Sequence, residues 1–309
     1  MTQGTVLVTG AGGFIGRALS RRLAEQPHGR LLLCDRTLPD PPPGAEAIEA
    51  DLSRPEILER LLAARPDVIF HLASVPSALC EAEPATSRAV NLEASLTLLE
   101  GLASQERPAR MVYASTIAVL GAHFEGPVDD NLLPRPALTY GAHKLMVETQ
   151  LADWARRGRL HGIALRLPGI VARPPSAAGF GSAFWSDVFH AVKDGKDYIC
   201  PAGPDAVGWL MSVRRCVDDL IHAAGLDGDQ MRGALTLSAL PVRLGDLVEA
   251  IARQTGGSAA SVRYAPDPMI MRNFGSYPAL FTPAADARGL RHDGDVESLV
   301  ANALADLDA

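Results

Sequence analysis

The chain has 309 residues, 47% of them hydrophobic and 21% charged, with a net charge of -7. That size and balance suit one large or two modest globular domains, and with no Lys/Arg run to track phosphates they argue against a nucleic-acid partner. No apolar stretch approaches the ~20 residues that span a bilayer, and the start, MTQGTVLVTG, lacks the basic-then-apolar pattern of a signal peptide.

The first half alternates β-rich runs with helical stretches. Strands are expected at 5–10 (TVLVTG), 31–35 (LLLCD), 47–51 (AIEAD, after the loop LPDPPPG), 67–74 (DVIFHLAS), 109–115 (ARMVYAS) and 162–168 (GIALRLP). Helices are expected at 14–26, at 55–66 starting at proline, from near Pro84 to about Gln105, and around LTYGAHKLMVE (138–148). Such alternation predicts a parallel sheet covered by helices on both faces. After Pro168 the rhythm breaks at ARPPSAAGFGSAF; a helix over 213–226, strands over 234–239 and 261–267, and an amphipathic helix over 243–257 ended by glycines follow, with a helical or irregular remainder. The main boundary is placed near residue 167, and segments near 213–239 are expected to pack back on the first domain. Cys34, Cys80, Cys200 and Cys216 show no CxxC or finger spacing, and the eight histidines form no HExxH or HxH. Reduced, mostly buried thiols in a cytoplasmic protein are expected, and no metal site.

VTGAGGFIG (8–16) joins the first strand to the first helix. Gly10, Gly13 and Gly16 lack Cβ atoms, so the backbone can turn sharply and admit a pyrophosphate, while the helix N-terminus offers free N–H groups and a positive dipole end. Asp35 ends the second strand, nineteen residues after Gly16. A carboxylate there can bond adenosine ribose hydroxyls and repel a 2′-phosphate, favouring NAD over NADP. Arg36 follows; it either offsets that preference or flanks the adenine. Asp51 and Leu52 follow the third strand, where an adenine edge would lie, or Asp51 is the N-cap of the helix at Pro55. His71 is read as closing a strand end rather than as a base. Tyr140 and Lys144 stand four apart, hence on one helix side. An ammonium beside a phenol lowers its pKa from ~10 toward the range of a useful base; an exposed aromatic with a solvated lysine would show the same spacing.

Taken in order, these segments resemble the extended short-chain dehydrogenase/reductase family, the NAD-dependent epimerase/dehydratase group. TGAGGFIG is similar to its TGxxGxxG fingerprint, HLAS to HLAA, VNLEASLTLLE to its Asn-bearing helix, YASTIAVLG to SSxxVYG and YGAHK to YxxxK. The resemblance implies a Rossmann-type doubly wound α/β fold, with an NAD-binding domain at 1–167 and a smaller mixed α/β substrate-binding domain at 168–309. It implies catalytic roles for Thr116 (with Ser115 as a neighbouring substitute), Tyr140 and Lys144. NAD contacts are implied from Gly10, Gly13, Phe14, Ile15, Gly16, Asp35, Arg36, Asp51, Leu52, Leu72, Ala73, Ser74, Asn91, Tyr140, Lys144, Pro168 and Ile170. Tyr140 would take a hydroxyl proton, Thr116 would hold that oxygen, Lys144 would bind the nicotinamide ribose, and hydride would pass to the nicotinamide.

Departures narrow the class. Ile117 and Ala118 stand where the sugar dehydratases of the group carry Asp and Glu, so the water-eliminating groups are missing. Gly169, in RLPG (166–169), replaces the Asn by which nucleotide-sugar epimerases touch the sugar diphosphate. LRLPGIVARP and GWLMSVRRCVDDLIHAA look like the branch that oxidises small polyhydroxy acids such as D-erythronate at C2 to the 2-keto acid. Such a substrate needs a cation or N–H cluster for its carboxylate. Arg173 is a candidate, Ser74, Ser77, Ser176 and Trp209 are further candidate contacts, and Thr116 and Tyr140 meet the reacting hydroxyl. A nucleotide-sugar epimerase with tightly bound NAD is the alternative, and a non-catalytic NAD sensor a third. By resemblance, the helices around Asn91 and Tyr140 form a homodimer interface.

Overall fold

The structure is a computed structural model, in which residues 4–26, 29–175 and 181–307 are described. The elements run β1 (Thr5–Thr9), α1 (Phe14–Ala24), β2 (Arg30–Asp35), β3 (Glu46–Glu49), α2 (Pro55–Ala63), β4 (Val68–His71), α3 (Ser77–Ala82), α4 (Pro84–Ser87), a π-helical segment (Arg88–Glu93), α5 (Ala94–Ala103), β5 (Arg110–Thr116), a 3-10 turn (Ile117–Leu120), α6 (Thr139–Arg156) and β6 (His161–Leu167). They continue with β7 (Gly169–Val171), α7 (Phe184–Asp194), β8 (Tyr198–Cys200), β9 (Val207–Ser212), α8 (Val213–Ala224), β10 (Arg232–Thr236), β11 (Leu240–Arg243), α9 (Leu244–Thr255), β12 (Val262–Tyr264), α10 (Pro268–Phe274), α11 (Pro283–Ala287) and α12 (Val296–Leu307).

The chain divides into two compact units: Met1–Val119, Pro136–Arg166 and Val217–Leu235 form one, and Leu120–Arg135, Leu167–Cys216 and Thr236–Ala309 the other. The first unit carries a seven-stranded sheet of order β10-β6-β5-β4-β1-β2-β3. Strand β1 pairs in parallel with β2 and β4, β2 with β3, and β4 with β5. Running outward from β1 in both directions, this is the doubly wound order, and it puts a crevice between the C-terminal ends of β1 and β4. The central strands are apolar on both faces because helices cover both: Val6, Leu7 and Val8 of β1 and Val68, Ile69 and Phe70 of β4 are all buried. On one face Leu98, Leu99 and Leu102 of α5 and Val147 and Leu151 of α6 pack with Ile69, Met111 and Tyr113 of the sheet.

The expected single helix from Pro84 to Gln105 is interrupted. A π-helical turn spans Arg88–Glu93, and Ser95 Oγ donates to the Asn91 carbonyl at 2.9 Å, a side-chain bond that competes with the regular backbone ladder. The extra residue rephases the helix and turns Asn91 inward. Hydrophobic spacing cannot reveal such an insertion, because the apolar positions on either side still recur at helical intervals.

In the second unit β7 runs parallel and β11 antiparallel to β9, and β12 pairs in parallel with β8. Helices α7, α9 and α12 supply a core around Trp185, Phe189, Leu210, Leu247, Ile251 and Val300. Trp209, a candidate substrate contact on sequence grounds, is a core residue: its side chain is 1% exposed, its indole N–H donates to Pro278 O at 2.7 Å, and its ring packs on Phe124 and Tyr277 at 5.4 and 4.8 Å. It lies on the face of β9 opposite Leu210, and that face too is covered, so the strand is buried on both sides. Leu52 likewise buries its side chain in the core of the first unit, leaving only its backbone to meet a nucleotide.

Replacing the Trp209 indole by a ring without N–H strands a buried carbonyl. Trp209→Phe is expected to lower stability by about 1–3 kcal/mol, read as a shifted urea midpoint, while leaving the Michaelis constant for substrate unchanged; a large rise in that constant without loss of stability would return Trp209 to the substrate site.

Candidate functional site

Four segments of the first unit converge on the crevice. After β1, Gly10 adopts φ +74°, and a Cβ there would lie 2.5 Å from Ala73 N, so only glycine lets this turn approach the end of β4. A Cβ on Gly16 would meet Gly10 O at 2.0 Å, and one on Gly12 would meet Thr37 O at 1.9 Å. Gly13 differs: its Cβ would meet only Gly10 O at 3.3 Å. The protein itself thus demands glycine at 10, 12 and 16, while at Gly13 a side chain would press only on the Gly10 carbonyl. Helix α1 begins there with no side-chain cap and no acidic residue in its first turn. A bare helix N-terminus behind a glycine turn fits a pyrophosphate.

At the end of β2, Asp35 Oδ2 accepts from Gly12 N at 2.9 Å and Oδ1 from Arg36 N at 2.6 Å. These bonds fix the carboxylate beside the glycine turn, where ribose hydroxyls would lie. Arg36 is exposed. Asp51 accepts from the Ser53 backbone and hydroxyl at 2.9 and 2.8 Å, which lowers its pKa. It therefore shapes the turn before α2 rather than capping the helix, whose N-cap is Arg54.

After β4, Leu72, Ala73 and Ser74 are half-buried. Asn91 reaches this loop: Oδ1 accepts from Val75 N at 2.8 Å, and Nδ2 donates to Val75 O at 3.0 Å and toward Cys80 Sγ at 3.3 Å. Its amide braces the loop, so any service to a cofactor is indirect. His71 is fully enclosed, with Nδ1 2.6 Å from Thr9 Oγ1 and Nε2 2.9 Å from Ser95 Oγ. Because Ser95 already donates to Asn91 O, His71 carries its proton on Nε2. Burial, helped by the Lys144 charge, pushes its pKa down to about 3, so it is neutral and structural.

The fourth segment is α6 against β5. The buried stripe of α6 runs Gly141, Lys144, Val147, Glu148, Leu151, Ala155, and two of those positions are charged. Lys144, 1% exposed, donates from Nζ to Ala114 O at 2.7 Å. Its ammonium lies 4.7 Å from the Tyr113 ring centre and 5.7 Å from that of Tyr140. Burial lowers its pKa to about 7, against the opposing pull of Cys80 and Glu148. Of the two phenols, Tyr113 is fully buried, stacked on His71 at 5.6 Å, and its pKa is raised well above 10, by burial first and then by Tyr140 and Glu148. Tyr140 is half-buried, so of the two phenols it is the one within reach of a ligand. Gly141 permits the approach of α6 to the 3-10 turn, since a Cβ would lie 2.6 Å from Ala118 O. At the end of β5, Thr116 Oγ1 accepts from Ala118 N at 3.1 Å, while Ser115 is turned inward and donates to Glu148, which also holds Arg166 at 2.8 Å.

The sequence pattern did not single out Gly12, Gly141, Glu148 or Arg166. The legible signal for Glu148 is a charge at the fourth position after Lys144, on the same row as Leu151. Of the remaining candidates, Ser77 opens α3 and is half-buried; Pro168 and Ile170 belong to the second unit and are buried. Arg173 is half-buried, with its carbonyl 2.7 Å from His190 Nε2; it follows Ala172, whose φ of +61° is a strained conformation for a residue with a Cβ. Ser176 lies outside the described residues. Among those described, no three His, Cys, Asp or Glu side chains gather as a metal site requires, and no helix is long and apolar enough to cross a membrane.

The model of the NAD dependent epimerase/dehydratase family matches residues 6–223. D-erythronate dehydrogenase of Cupriavidus necator is 31% identical over 311 residues, spanning 96% of either chain, and that of Haemophilus influenzae is 27% identical over 305 residues, spanning 96% of this chain and 97% of its own. Among solved structures, the nucleoside-diphosphate-sugar epimerase from Agrobacterium tumefaciens is similar with a TM-score of 0.88 at 31% identity, covering 96% of this chain and 92% of its own.

The neutral His71 makes an acid-side prediction. Its folded pKa is depressed from 6.5 to about 3, so its contribution to stability is complete above 6.5 and is lost as pH falls toward 3. Between pH 7 and pH 5 the wild type is expected to lose about 2 kcal/mol from this group. In His71→Gln, urea midpoints at the two pH values should differ less; equal differences in both proteins would remove His71 as the cause.

Proposed function

We propose that this chain, which belongs to the NAD dependent epimerase/dehydratase family, is a dehydrogenase that oxidises the C2 hydroxyl of a small sugar acid such as D-erythronate. NAD is the family's cofactor, and the glycine turn, the uncapped helix and Asp35 suit it. The observation that carries the redox assignment is the Lys144 ammonium, pinned at 2.7 Å to Ala114 O and 5.7 Å from the Tyr140 ring; an NAD sensor needs no buried cation beside an ionisable phenol. The match to D-erythronate dehydrogenase along 96% of both chains supports the substrate class.

In this reading Thr116 Oγ1 and the Tyr140 oxygen hold the substrate hydroxyl. Tyr140 takes its proton, and Lys144 stabilises the resulting phenolate. NAD, when bound, accepts the hydride. The fixed Ala114–Lys144 bond keeps the cation in place throughout, so little reorganisation accompanies proton transfer.

The name of the Agrobacterium structure supports a second reading, a nucleotide-sugar epimerase. Position 169 weighs against it. A Cβ on Gly169 would lie 3.1 Å from both Leu210 Cδ2 and the Trp209 carbonyl, so the diphosphate-contacting Asn of such epimerases has little room there.

The two readings part on NADH accumulation. With NAD and free aldonates the protein is expected to raise NADH absorbance, and with UDP-sugars to give none; epimerised UDP-sugar without net NADH would reverse the assignment. Tyr140→Phe should lower kcat by at least ~100-fold with the fold retained, and full activity would take Tyr140 out of the mechanism. Asp35→Ala should narrow the preference for NAD over NADP. Unaltered selectivity would show that another group reads the ribose.

A further inference from the structure

Beneath the candidate acid/base pair lies a second set of buried charges. Glu148, 3% exposed, sits four residues after Lys144 on the inward stripe of α6, which makes the two side chains neighbours. They grip adjacent residues of one strand: Lys144 Nζ holds Ala114 O, and the Glu148 carboxylate accepts from Ser115 Oγ. The next residue is Thr116. Arg166 of β6, itself 13% exposed, closes the far side with Nε at 3.1 Å from Oε1 and Nη2 at 2.8 Å from Oε2. A carboxylate is costly to bury, and the chain buries this one directly beside its only buried lysine. There are three lysines in the whole sequence, Lys144, Lys193 and Lys196.

We propose that Glu148 is a positioning residue whose negative charge keeps Lys144 protonated in the folded protein, with Ser115 and Arg166 fixing the carboxylate at the required place. Desolvation alone drives a buried ammonium toward the neutral amine. The groups facing Lys144 are His71 of β4, Cys80 of α3, Tyr113 of β5, and Tyr140 and Glu148 of α6. His71 is neutral, the Cys80 thiol is raised by burial, and Tyr113 does not ionise. Until Tyr140 loses its proton, Glu148 is thus the one anion in the set. The same carboxylate then does two things: it holds the proton on Lys144, and through Ser115 it fixes the strand end that presents Thr116. The catalytic consequence rests on the dehydrogenase reading, whereas the charge coupling does not.

The small number of lysines makes the test direct. In protein labelled with 13C at lysine Cε, three side-chain resonances are expected, and the one lost in Lys144→Met belongs to Lys144. Titrating the protein free of substrate gives the Lys144 pKa without any turnover. Glu148→Gln, nearly isosteric, should lower it by about one unit, whereas Ser115→Ala, which keeps the charge, should move it far less. If Glu148→Gln leaves Arg166 so poorly paired that folding fails, Glu148→Gln/Arg166→Gln removes both buried charges and should lower the pKa in the same direction. An unchanged or raised Lys144 pKa in the folded variant overturns the proposal. Should NADH formation occur, the alkaline limb of kcat/KM should shift down with the resonance, the rate recovering at lower pH. A shifted resonance in a protein that oxidises no sugar acid would sink the substrate reading and leave the coupling standing.

Discussion

The bond from Lys144 Nζ to the Ala114 carbonyl, 2.7 Å long and closed off from water, constrains everything around it. A lysine in such a place sheds its proton unless its neighbours oppose that, and burial indeed brings it down to about 7. The neighbours are arranged accordingly. His71, which would repel it if charged, has its Nε2–H given to Ser95 and its Nδ1 occupied by Thr9. Tyr113 presents a ring face to the ammonium, a contact that favours the cation without adding a full charge. Gly141 lets the helix carrying the lysine come within reach of the turn that follows Thr116. Each of these choices looks arbitrary alone and follows once the buried cation is accepted.

The glycine turn shows a comparable division of labour on the cofactor side. Gly10, Gly12 and Gly16 are demanded by the protein's own backbone at the carbonyls of Gly10 and Thr37 and the amide of Ala73. At Gly13 the protein's own demand is weakest, since a side chain there would press only on the Gly10 carbonyl at 3.3 Å. Asp35 is tied to the same turn through Gly12 N, so the carboxylate and the helix N-terminus hold a fixed relation before any nucleotide arrives. Such preorganisation lowers the ordering cost of binding.

Much of this was legible in the sequence, for identifiable reasons. The doubly wound sheet follows from apolar strands buried on both faces, and the fingerprint, the Asp at the end of β2 and the Tyr140–Lys144 spacing follow from local rules with fixed offsets. The π-helical turn at Arg88–Glu93 was hidden because its neighbours keep helical periodicity. Glu148 was hidden because a charge on a helix is normally read as solvent-facing, and only the neighbouring Leu151 and Ala155 betray the inward row; Arg166, on β6, pairs with it only through the fold. An aromatic in a motif invites a pocket role, and the strand pattern could not show that both faces of β9 are covered, so that the Trp209 ring packs on Phe124 and Tyr277 and its N–H meets Pro278 O. Strand β8, three residues long, is too short for periodicity to register, whereas its partner β12 falls within the strand expected over 261–267.

The charges beneath the crevice also favour one protonation state of the proposed catalytic phenol. Protonated Lys144 and Arg166 bring two positive charges, Glu148 one negative, and His71 none, so the buried set carries an excess of one positive charge while Tyr140 is neutral. Losing the phenolic proton brings the set to neutrality in a medium where net charge is expensive. Tyr113 cannot serve, because its oxygen is fully buried without a hydrogen-bond partner among the described residues and its ionisation is penalised. If Lys144 is deprotonated instead, neutrality is reached without Tyr140 and the incentive disappears. The two protons thus compete for one compensating charge, and Glu148 tilts the competition toward lysine keeping its proton and tyrosine giving its own up.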